Sequence, residues 1–350
     1  MTLILLLLFT PGWFPLSGIS TEFSTLVHPA AIRELAQAGE LAGLQHQLEQ
    51  EWSAIRLDNP NPTAEIRYEG LLDNNPARVE TLGHLEDMDK MALFYWHYAL
   101  FADEHSFEKM RDFSLSWAKT LTASGNPINE NKLLPVVYSY FFLKPHLNPQ
   151  EKVVLEKWLK AIADAEIDND RVPLNNWETK RINLVGTIGI LVEDETLLAW
   201  AEARTRHYLE KALFSDGTSV DIRQRDALSY HVSGLKPLLQ FFISLEKETP
   251  GTGRAFFHFE TPSGASVARS LDYVIPYAKG KEVYRQWNNT KVKLDRERAA
   301  AGLEKYQPGV AYDPKKSYET MAMAGFFDPK YRIGACNYPL CALLSTYKQK

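Results

Sequence analysis

The sequence predicts an all-α fold in which paired helices are arranged around a ring and leave a central concavity. Apolar residues recur every three or four positions through most of the chain, which is the spacing of amphipathic helices. Nothing resembles the alternation of strands and helices that builds a parallel sheet. With 350 residues, the chain also exceeds the size at which one compact core usually stops growing. Its many consecutive helices therefore cannot all share one four-helix core.

Eight amphipathic segments are predicted as helices from this spacing: 30–51, 87–103, 107–122, 131–144, 148–166, 177–193, 195–213 and 225–246. In one of them Asn148 is a suitable helix cap and Pro149 suits the first turn. The loops between the helices are rich in Gly, Pro, Asn and Asp. Beyond Gly253 the chain mixes extended and turn patterns before a final predicted helix over 315–327.

A ring lets each pair of antiparallel helices bury one face while a groove remains at the centre. The specific prediction is a single α/α toroid, an incomplete barrel of paired antiparallel helices with a central substrate groove. Periodicity by itself supports only the broader class, a large all-α protein.

Residues 1–20 are predicted to form a signal peptide. The apolar run from Leu3 to Phe9 has about the length of a signal-peptide core and is far too short to span a membrane. Small residues near the end of the segment suit a cleavage site. We therefore expect a periplasmic or secreted protein in which residues 21–350 form one domain. A buried N-terminal strand is the alternative interpretation.

Composition and motifs argue against several functional classes. The formal net charge of −5 argues against a nucleic-acid-binding surface, and no later apolar run is long enough for a membrane span. Glycine-rich nucleotide loops, the HExxH zinc motif and the GxSxG nucleophile motif are missing. We expect no cofactor, no metal and no nucleic-acid partner. Cys336 and Cys341 fit no zinc spacing; in an exported chain they would form a disulfide, with two independent thiols as the alternative.

Two segments hold residues that are suited to chemistry. In the first, Asn175 and Asn176 precede Trp177 at a predicted helix start. Adjacent amides at this position can cap the helix, or they can donate N–H groups to a carboxylate or a sugar hydroxyl of a ligand. The residues alone leave both interpretations open.

The second segment holds Arg223 and Tyr230, seven residues further along. If residues 223–231 form one helix, the two side chains share a face, since seven residues are nearly two turns. A cation near a phenol favours the phenolate, which is the form that a general base requires. The alternative is a structural tyrosine whose ring lies in the core and whose hydroxyl is hydrogen-bonded.

The chain resembles the alginate lyase superfamily, which comprises uronate polysaccharide lyases with an α/α-toroid fold. The resemblance extends over residues 28–329 and depends on the order and spacing of three segments. These are SGNPINEN at 124–131, the double Asn at 175–176, and the segment with Arg223 and Tyr230. The family pattern is a double Asn followed by His, then an Arg, then a Tyr seven residues later. The resemblance is closest to the branch that contains polysaccharide lyase family 38, whose members act on alginate and glucuronan.

One residue departs from the family pattern. Trp177 stands where the better-known alginate lyases have the histidine. An indole only donates hydrogen bonds, so it cannot replace an imidazole in proton transfer. His231 follows Tyr230 but would point about 100° away on a helix, so it is not an obvious substitute.

The resemblance implies β-elimination across C4–C5 of a hexuronate in an acidic polysaccharide. Asn176, with Asn175, would neutralise the sugar carboxylate, and Arg223 would add positive charge that favours the phenolate of Tyr230. Tyr230 would remove H5 and then protonate O4. One residue can do both only if H5 and O4 share a face of the sugar, as in mannuronate and glucuronate. With Trp177 in place of the histidine, we expect these sugars rather than guluronate.

Further residues are expected to bind the polymer. Asn129 and Asn131 are candidates by resemblance, and Arg181 and His231 by proximity. Trp177 would either stack on a sugar ring or pack beneath the site. Three residues that mix aromatic and cationic groups as a glycan subsite does are Tyr284, Arg285 and Trp287.

Two other classes of function remain open. The missing histidine is compatible with a catalytically inactive relative that still binds glycans. A toroid hydrolase of unsaturated uronate oligosaccharides would need a carboxylic acid in its cleft, and Asp221, Asp226 and Glu178 are available.

Overall fold

The computed structural model describes residues 29–39 and 41–333. The predicted signal peptide, residues 1–20, lies outside the described residues, and so do Cys336 and Cys341. No helix in the described ranges is both long enough and apolar enough to cross a lipid bilayer.

The described residues form fifteen α-helices with short 3₁₀ turns between some of them. The helices are α1 (Pro29–Gln37), α2 (Ala42–Ile55), α3 (Pro76–Phe101), α4 (Glu104–Thr120), α5 (Pro127–Glu130), α6 (Leu134–Leu143), α7 (Pro149–Asp168), α8 (Asn176–Leu191), α9 (Glu195–Ala212), α10 (Val220–Arg225), α11 (Leu228–Glu248), α12 (Thr252–His258), α13 (Val267–Ala278), α14 (Lys293–Ala300) and α15 (Tyr318–Phe327). A small antiparallel sheet pairs β1 (Arg285–Gln286) with β2 (Val310–Ala311), and Gln286 lies opposite Val310.

The helices form two layers. In the inner layer α3 packs on α6, α6 on α8, and α8 on α11, while α4, α7 and α9 pack outside them. Nine of the ten residues of α6 are buried, because helices lie on several sides of it. The outer helices instead bury one stripe, as α4 does with Met110, Phe113 and Trp117. The predicted all-α toroid is confirmed.

The sequence located most helices but not all of their ends. The predicted cap at Asn148 is confirmed: its side chain accepts the N–H groups of Gln150 and Glu151. The segment predicted as one helix over 30–51 is two helices, which are separated at Gly39 by a residue with a φ of 80°. Glycine adopts this left-handed conformation without the steric cost that a side chain adds.

The predicted helix over 223–231 is wrong. Helix α10 ends at Arg225, Asp226 takes a left-handed conformation with a φ of 51°, and α11 begins at Leu228. Arg223 and Tyr230 therefore lie on different helices and do not share a face.

Contacts from a distant segment hold this break in place. The carbonyl of Asp226 accepts the N–H of Trp287 at 2.8 Å. Its carboxylate accepts the hydroxyl of Tyr284 at 2.8 Å and the backbone N–H of Asn289 at 2.9 Å. These partners lie about 60 residues along the chain, so a local helix pattern contains no sign of them.

The four inner helices present their amino-terminal ends to one groove. Arg78 lies in the first turn of α3, and Lys132 lies in the short 3₁₀ turn before α6. Trp177 and Tyr230 lie in the first turns of α8 and α11. The amino-terminal end of a helix carries partial positive charge. The fold thus gathers four such ends around one site.

Candidate active site

The groove is a cavity of about 400 Å³ at the amino-terminal ends of the inner helices. It is lined by Tyr68, Glu69, Leu71, Leu72, Asp73, Arg78, Ile128, Asn131, Lys132, Asn176, Trp177, Lys180, Arg225, Ser229, Tyr230, Ser233, Arg298, Leu303, Lys305 and Tyr306. Four of the predicted site residues line it. Asn176, Trp177 and Tyr230 lie in the first turns of inner helices, and Asn131 lies just before α6.

The groove is basic although the whole chain is acidic. Six lining residues are cationic and two are anionic, while the net charge of the chain is −5. The cations are Arg78, Lys132, Lys180, Arg225, Arg298 and Lys305. A cleft lined by one sign of charge concentrates the electrostatic potential there and attracts ligands of the opposite sign. The groove therefore favours an anionic ligand.

Asn176 starts α8 and lines the groove, and the residue is only 3% exposed. Its backbone N–H donates to Asp221 Oδ2 at 3.0 Å, and its Oδ1 has no hydrogen-bond partner. Burial raises the pKa of Asp221 to about 7, against the opposing charge of Arg225. The backbone of Asn176 is thus anchored at the groove, and the side-chain N–H₂ group is the part of this residue that can donate to an anionic ligand.

Asn175 has the capping role. Its side chain accepts the backbone N–H of Trp177 at 2.9 Å, as expected for a helix cap, and it is not among the groove-lining residues. Of the two adjacent amides, one caps the helix and the other faces the groove. Trp177 lies half-buried in the groove, where a sugar ring could contact it.

Tyr230 lies at the centre of a cluster of aromatic rings and guanidinium groups. Arg298 Nη1 donates to its hydroxyl at 3.4 Å, and the guanidinium of Arg225 lies over its ring, 4.1 Å from the centroid. The hydroxyl of Tyr306 is 3.5 Å from the hydroxyl of Tyr230. Trp287 packs edge-on against the ring at 5.6 Å. Tyr230 is therefore held by its ring while its oxygen stays in the groove.

Arg223 is not part of this cluster, and its predicted position beside Tyr230 is wrong. Its guanidinium is exposed, pairs with Asp216 at 3.0 Å and lies 3.3 Å from the centroid of the Phe214 ring. The left-handed residue Asp226 turns the chain after α10, so Arg223 faces outward. The cations near Tyr230 are Arg225 and Arg298.

Arg181 is held by bonds within the protein. It is buried, and its Nη2 and Nε both donate to Glu178 Oε2, at 2.6 and 3.0 Å. Its Nη1 donates to the carbonyls of Glu166 and Asn169. A buried guanidinium needs such partners to offset its lost hydration. These bonds tie the end of α7 to the start of α8, and Arg181 does not line the groove in which it was predicted to bind substrate.

His231 is also held by bonds within the protein. It lies on the buried face of α11, with Nδ1 at 2.8 Å from Ser219 Oγ and Nε2 at 3.2 Å from the carbonyl of Ser270. Burial lowers its pKa to about 4. The imidazole is therefore neutral near pH 7, and His231 does not line the groove in which it was predicted to bind substrate.

Asn129 and Asn131 have different positions although both were expected to bind substrate. Asn129 donates to the carbonyl of Ile66 at 2.8 Å and accepts the N–H of Glu69 at 2.9 Å, so its amide is fully used in holding the 66–69 segment. Asn131 lines the groove and its Nδ2 has no protein partner. Only Asn131 is placed to contact a ligand directly.

The predicted aromatic and cationic subsite does not lie in the groove. Tyr284 binds Asp226, Trp287 is buried behind Tyr230, and Arg285 donates to the carbonyl of Gly309. The carboxylates that a hydrolase would use are also engaged elsewhere. The two that are buried, Glu178 and Asp221, do not line the groove.

Sequence reasoning missed several groove residues. Arg298 and Tyr306 come from a segment that lies 68 and 76 residues beyond Tyr230, and no local motif connects them to it. Tyr68 was also missed. Its ring lies between the guanidinium of Arg78, at 4.2 Å, and the ammonium of Lys132, at 4.5 Å. The one feature of the sequence that could have indicated these residues is their type, since aromatic and basic side chains suit the binding of an acidic glycan.

A pair of buried carboxyl groups supports the loop that carries Asn131. Glu130 Oε1 accepts the N–H of Gly125 at 2.9 Å and also the N–H of Ser124. Burial raises the pKa of the neighbouring Glu166 to about 10, and the charge of Glu130 acts in the same direction. Near pH 7 Glu166 is therefore protonated, which lets the two groups pack without facing charges.

From the raised pKa of Glu166 we expect the free energy of unfolding to depend on pH. The folded chain holds the Glu166 proton to about pH 10, whereas the unfolded carboxyl ionises near 4.5. Between these values the folded state binds more protons, so its stability falls as the pH rises. Glu166→Gln keeps a neutral group, so we expect the variant to gain stability over the natural chain by up to about 1.4 kcal/mol for each pH unit in this window.

Urea unfolding of both proteins between about pH 6 and pH 9 measures the difference. Glu210→Gln, at an exposed position on α9, is the matched control and should show no such trend. A difference between the Glu166→Gln variant and the natural chain that stays constant with pH would contradict the prediction.

Comparisons with known proteins agree with the fold. A family model described as alginate lyase matches residues 37–284. The structure is similar to alginate lyase A1-III from Sphingomonas species A1, with a TM-score of 0.58 and 16% identity over 87% of this chain and 96% of that one. It is also similar to an alginate lyase from Bacteroides ovatus, with a TM-score of 0.62 and 14% identity over 93% and 96% of the two chains.

A histidine-to-alanine variant of alginate lyase A1-III in complex with a tetrasaccharide gives a TM-score of 0.57, with 16% identity over 87% of this chain and 96% of that one. No sequence among curated proteins matches this chain significantly.

Proposed function

Since the chain belongs to the alginate lyase family, we propose that its groove binds a 4-O-linked polyuronate, alginate or glucuronan, and cleaves it by β-elimination. The protein is a polysaccharide lyase. The observation that carries the proposal is the position of the Tyr230 hydroxyl, which lies in a basic groove within reach of Arg298.

The reaction requires donors that neutralise the charge of the sugar carboxylate as well as a base that removes H5. Removal of H5 leaves negative charge that spreads onto the sugar carboxylate, and this intermediate is inaccessible unless donors meet the charge. The side-chain amide of Asn176, at the start of α8, lines the groove and would meet this charge. Cleavage of the C4–O4 bond then forms the C4=C5 double bond, and O4 receives a proton.

Tyr230 is the proposed base. Its ring contacts the guanidinium of Arg225 and the perpendicular ring of Trp287, so its oxygen has a defined position. Negative charge on that oxygen would be met by the N–H of Arg298 and by the charge of Arg225. The phenol of Tyr306 lies on the same side of the groove. This one-sided arrangement supports syn elimination, and hence mannuronate or glucuronate rather than guluronate.

The proposal is tested with polymannuronate, polyguluronate and glucuronan. Ultraviolet absorbance reports the unsaturated product, and we expect it to rise on polymannuronate or glucuronan and to rise least on polyguluronate. Absorbance that falls on unsaturated oligosaccharides would instead indicate a hydrolase. Binding of all three polymers without any change in absorbance would indicate an inactive glycan-binding relative.

The position of Arg298 leads to a second prediction. Arg298→Ala removes the hydrogen bond to the Tyr230 hydroxyl, and a bond with a charged donor contributes about 1.5–3 kcal/mol. We therefore expect kcat/KM to fall by about 10- to 150-fold. Arg223→Ala is the matched control, because Arg223 is exposed and paired with Asp216, and it should change turnover little. The reverse result, with Arg223→Ala the damaging change, would contradict the assignment.

A further inference from the structure

A second phenol lies beside Tyr230 in the groove. The hydroxyl of Tyr306 is 3.5 Å from that of Tyr230, and its ring lies 4.9 Å from the guanidinium carbon of Arg298. Trp287 packs against it with ring centroids 5.1 Å apart. Arg298 and Trp287 therefore contact both tyrosines and hold the two hydroxyls as a pair.

We infer that Tyr306 is the general acid that protonates the leaving O4, so that Tyr230 serves only as the base. The inference rests on the proposed function and assigns a further catalytic residue to the same groove. It also provides a second proton-transfer group, in a chain where Trp177 occupies the position of the family's histidine.

The proton inventory of this reaction closes without any other reactant. The Tyr230 phenolate takes H5 and becomes a phenol, while the electron pair of the C5–H bond forms the C4=C5 double bond. The C4–O4 bond breaks, and O4 takes the phenolic proton of Tyr306. The Tyr306 phenolate then recovers a proton from Tyr230 along their contact, which restores both residues to their initial states.

Two observations favour Tyr306 as the acid and Tyr230 as the base. Burial raises the pKa of Tyr306 and the neighbouring Tyr230 raises it further, while Arg298 acts in the opposite direction. Tyr306 therefore keeps its proton until the leaving group takes it. Tyr230, by contrast, accepts the N–H of Arg298 at its hydroxyl oxygen, where negative charge would form.

The spacing of the hydroxyls also suits two separate transfers. If Tyr230 alone served both steps, its oxygen would have to move from H5 to O4 during the reaction. The ring of Tyr230 lies between Arg225 and Trp287, which restricts this movement. With a second phenol next to it, each oxygen needs only one position. Contacts of about 3.5 Å in a site without substrate are compatible with transfer, because catalytic hydrogen bonds often shorten in the complex.

Substrates with different leaving groups test the assignment. A fluorinated hexuronoside that carries fluoride at C4 eliminates an anion that needs no proton, whereas the polymer eliminates an alkoxide that does. We expect Tyr306→Phe to cleave the polymer about 100-fold more slowly, as is usual when a general acid is removed. The same variant should release fluoride at nearly the natural rate. Tyr230→Phe should lose both activities. Tyr140→Phe removes a hydroxyl that binds Glu156 away from the groove, and it should keep both.

The outcomes separate the inference from the proposed function. Equal losses on both substrates, or no loss on the polymer, would overturn the role of Tyr306 while leaving the lyase activity in place. Failure of the natural chain on every polyuronate would overturn the proposed function itself. If the natural chain does not accept the fluorinated compound, the test is to incubate the polymer with each variant in D₂O and to measure deuterium at C5 of the recovered polymer. Tyr306→Phe should then place deuterium at C5 faster than it cleaves the polymer, whereas cleavage at the natural rate would reject the inference.

Discussion

Tyr230→Phe should reduce polyuronate cleavage by about 10⁴-fold, the upper end of the range for loss of a general base, while the chain keeps its fold. The change removes one hydroxyl and retains the ring. The contacts with Arg225 and Trp287 involve that ring, so they should survive. The cost in stability should not exceed one hydrogen bond, about 1 kcal/mol.

Initial rates from product absorbance and a thermal unfolding curve measure the two effects. Tyr140→Phe serves as the control, since it deletes the hydroxyl of a buried tyrosine that binds Glu156 outside the groove. Its activity should be close to that of the natural chain. If Tyr230 were only structural, the Tyr230→Phe variant would turn over within a few-fold of the natural rate and would have a lower melting temperature than the natural chain. A folded Tyr230→Phe variant that retained most of its lyase activity would exclude Tyr230 as the base.

Asn176→Ala should lower kcat by about 10²–10³-fold, the usual cost of removing one donor that meets developing charge. KM should change less, because the hydrogen bond strengthens as charge builds on the sugar carboxylate. The fold should tolerate the change. The bond that anchors the start of α8 runs from the backbone N–H of Asn176 to Asp221, and alanine retains it.

Asn175→Ala is a matched control because it changes the adjacent amide. Asn175 accepts the N–H of Trp177 as a helix cap, so its loss should cost about 1 kcal/mol of stability. Its turnover should be much less affected, since the side chain does not line the groove. Steady-state kinetics and urea unfolding of both variants separate the two roles. If Asn176→Ala mainly raised KM, or if Asn175→Ala were the slower enzyme, the division of roles between the amides would be wrong.

Local patterns predicted the parts of the fold that depend on neighbouring residues. The three-to-four spacing of apolar residues predicted the helices, because each amphipathic helix must bury one face. The cap at Asn148 was predicted because its partners lie within three residues. The double Asn was placed at a helix start and Tyr230 in the site, and the groove contains Asn176 and Tyr230. Their catalytic roles remain predictions.

Local patterns could not predict which cations face the substrate. Arg223 and Tyr230 share a face only on one continuous helix, but Asp226 adopts a left-handed conformation there. That conformation is stabilised by Tyr284 and Trp287, whose positions depend on the whole fold. A helix pattern reports only neighbours three or four residues away.

The sequence by itself determined the helical class, the family resemblance and the tyrosine at the centre of the site. The tertiary structure decided the surroundings of that tyrosine. It buried Arg181 and His231 in hydrogen-bonded positions, and it brought Arg298 and Tyr306 to the groove from 68 and 76 residues away. The physical reason is that the burial and charge pairing of a side chain depend on which segments pack against it, and in a ring of helices those segments are distant in the sequence.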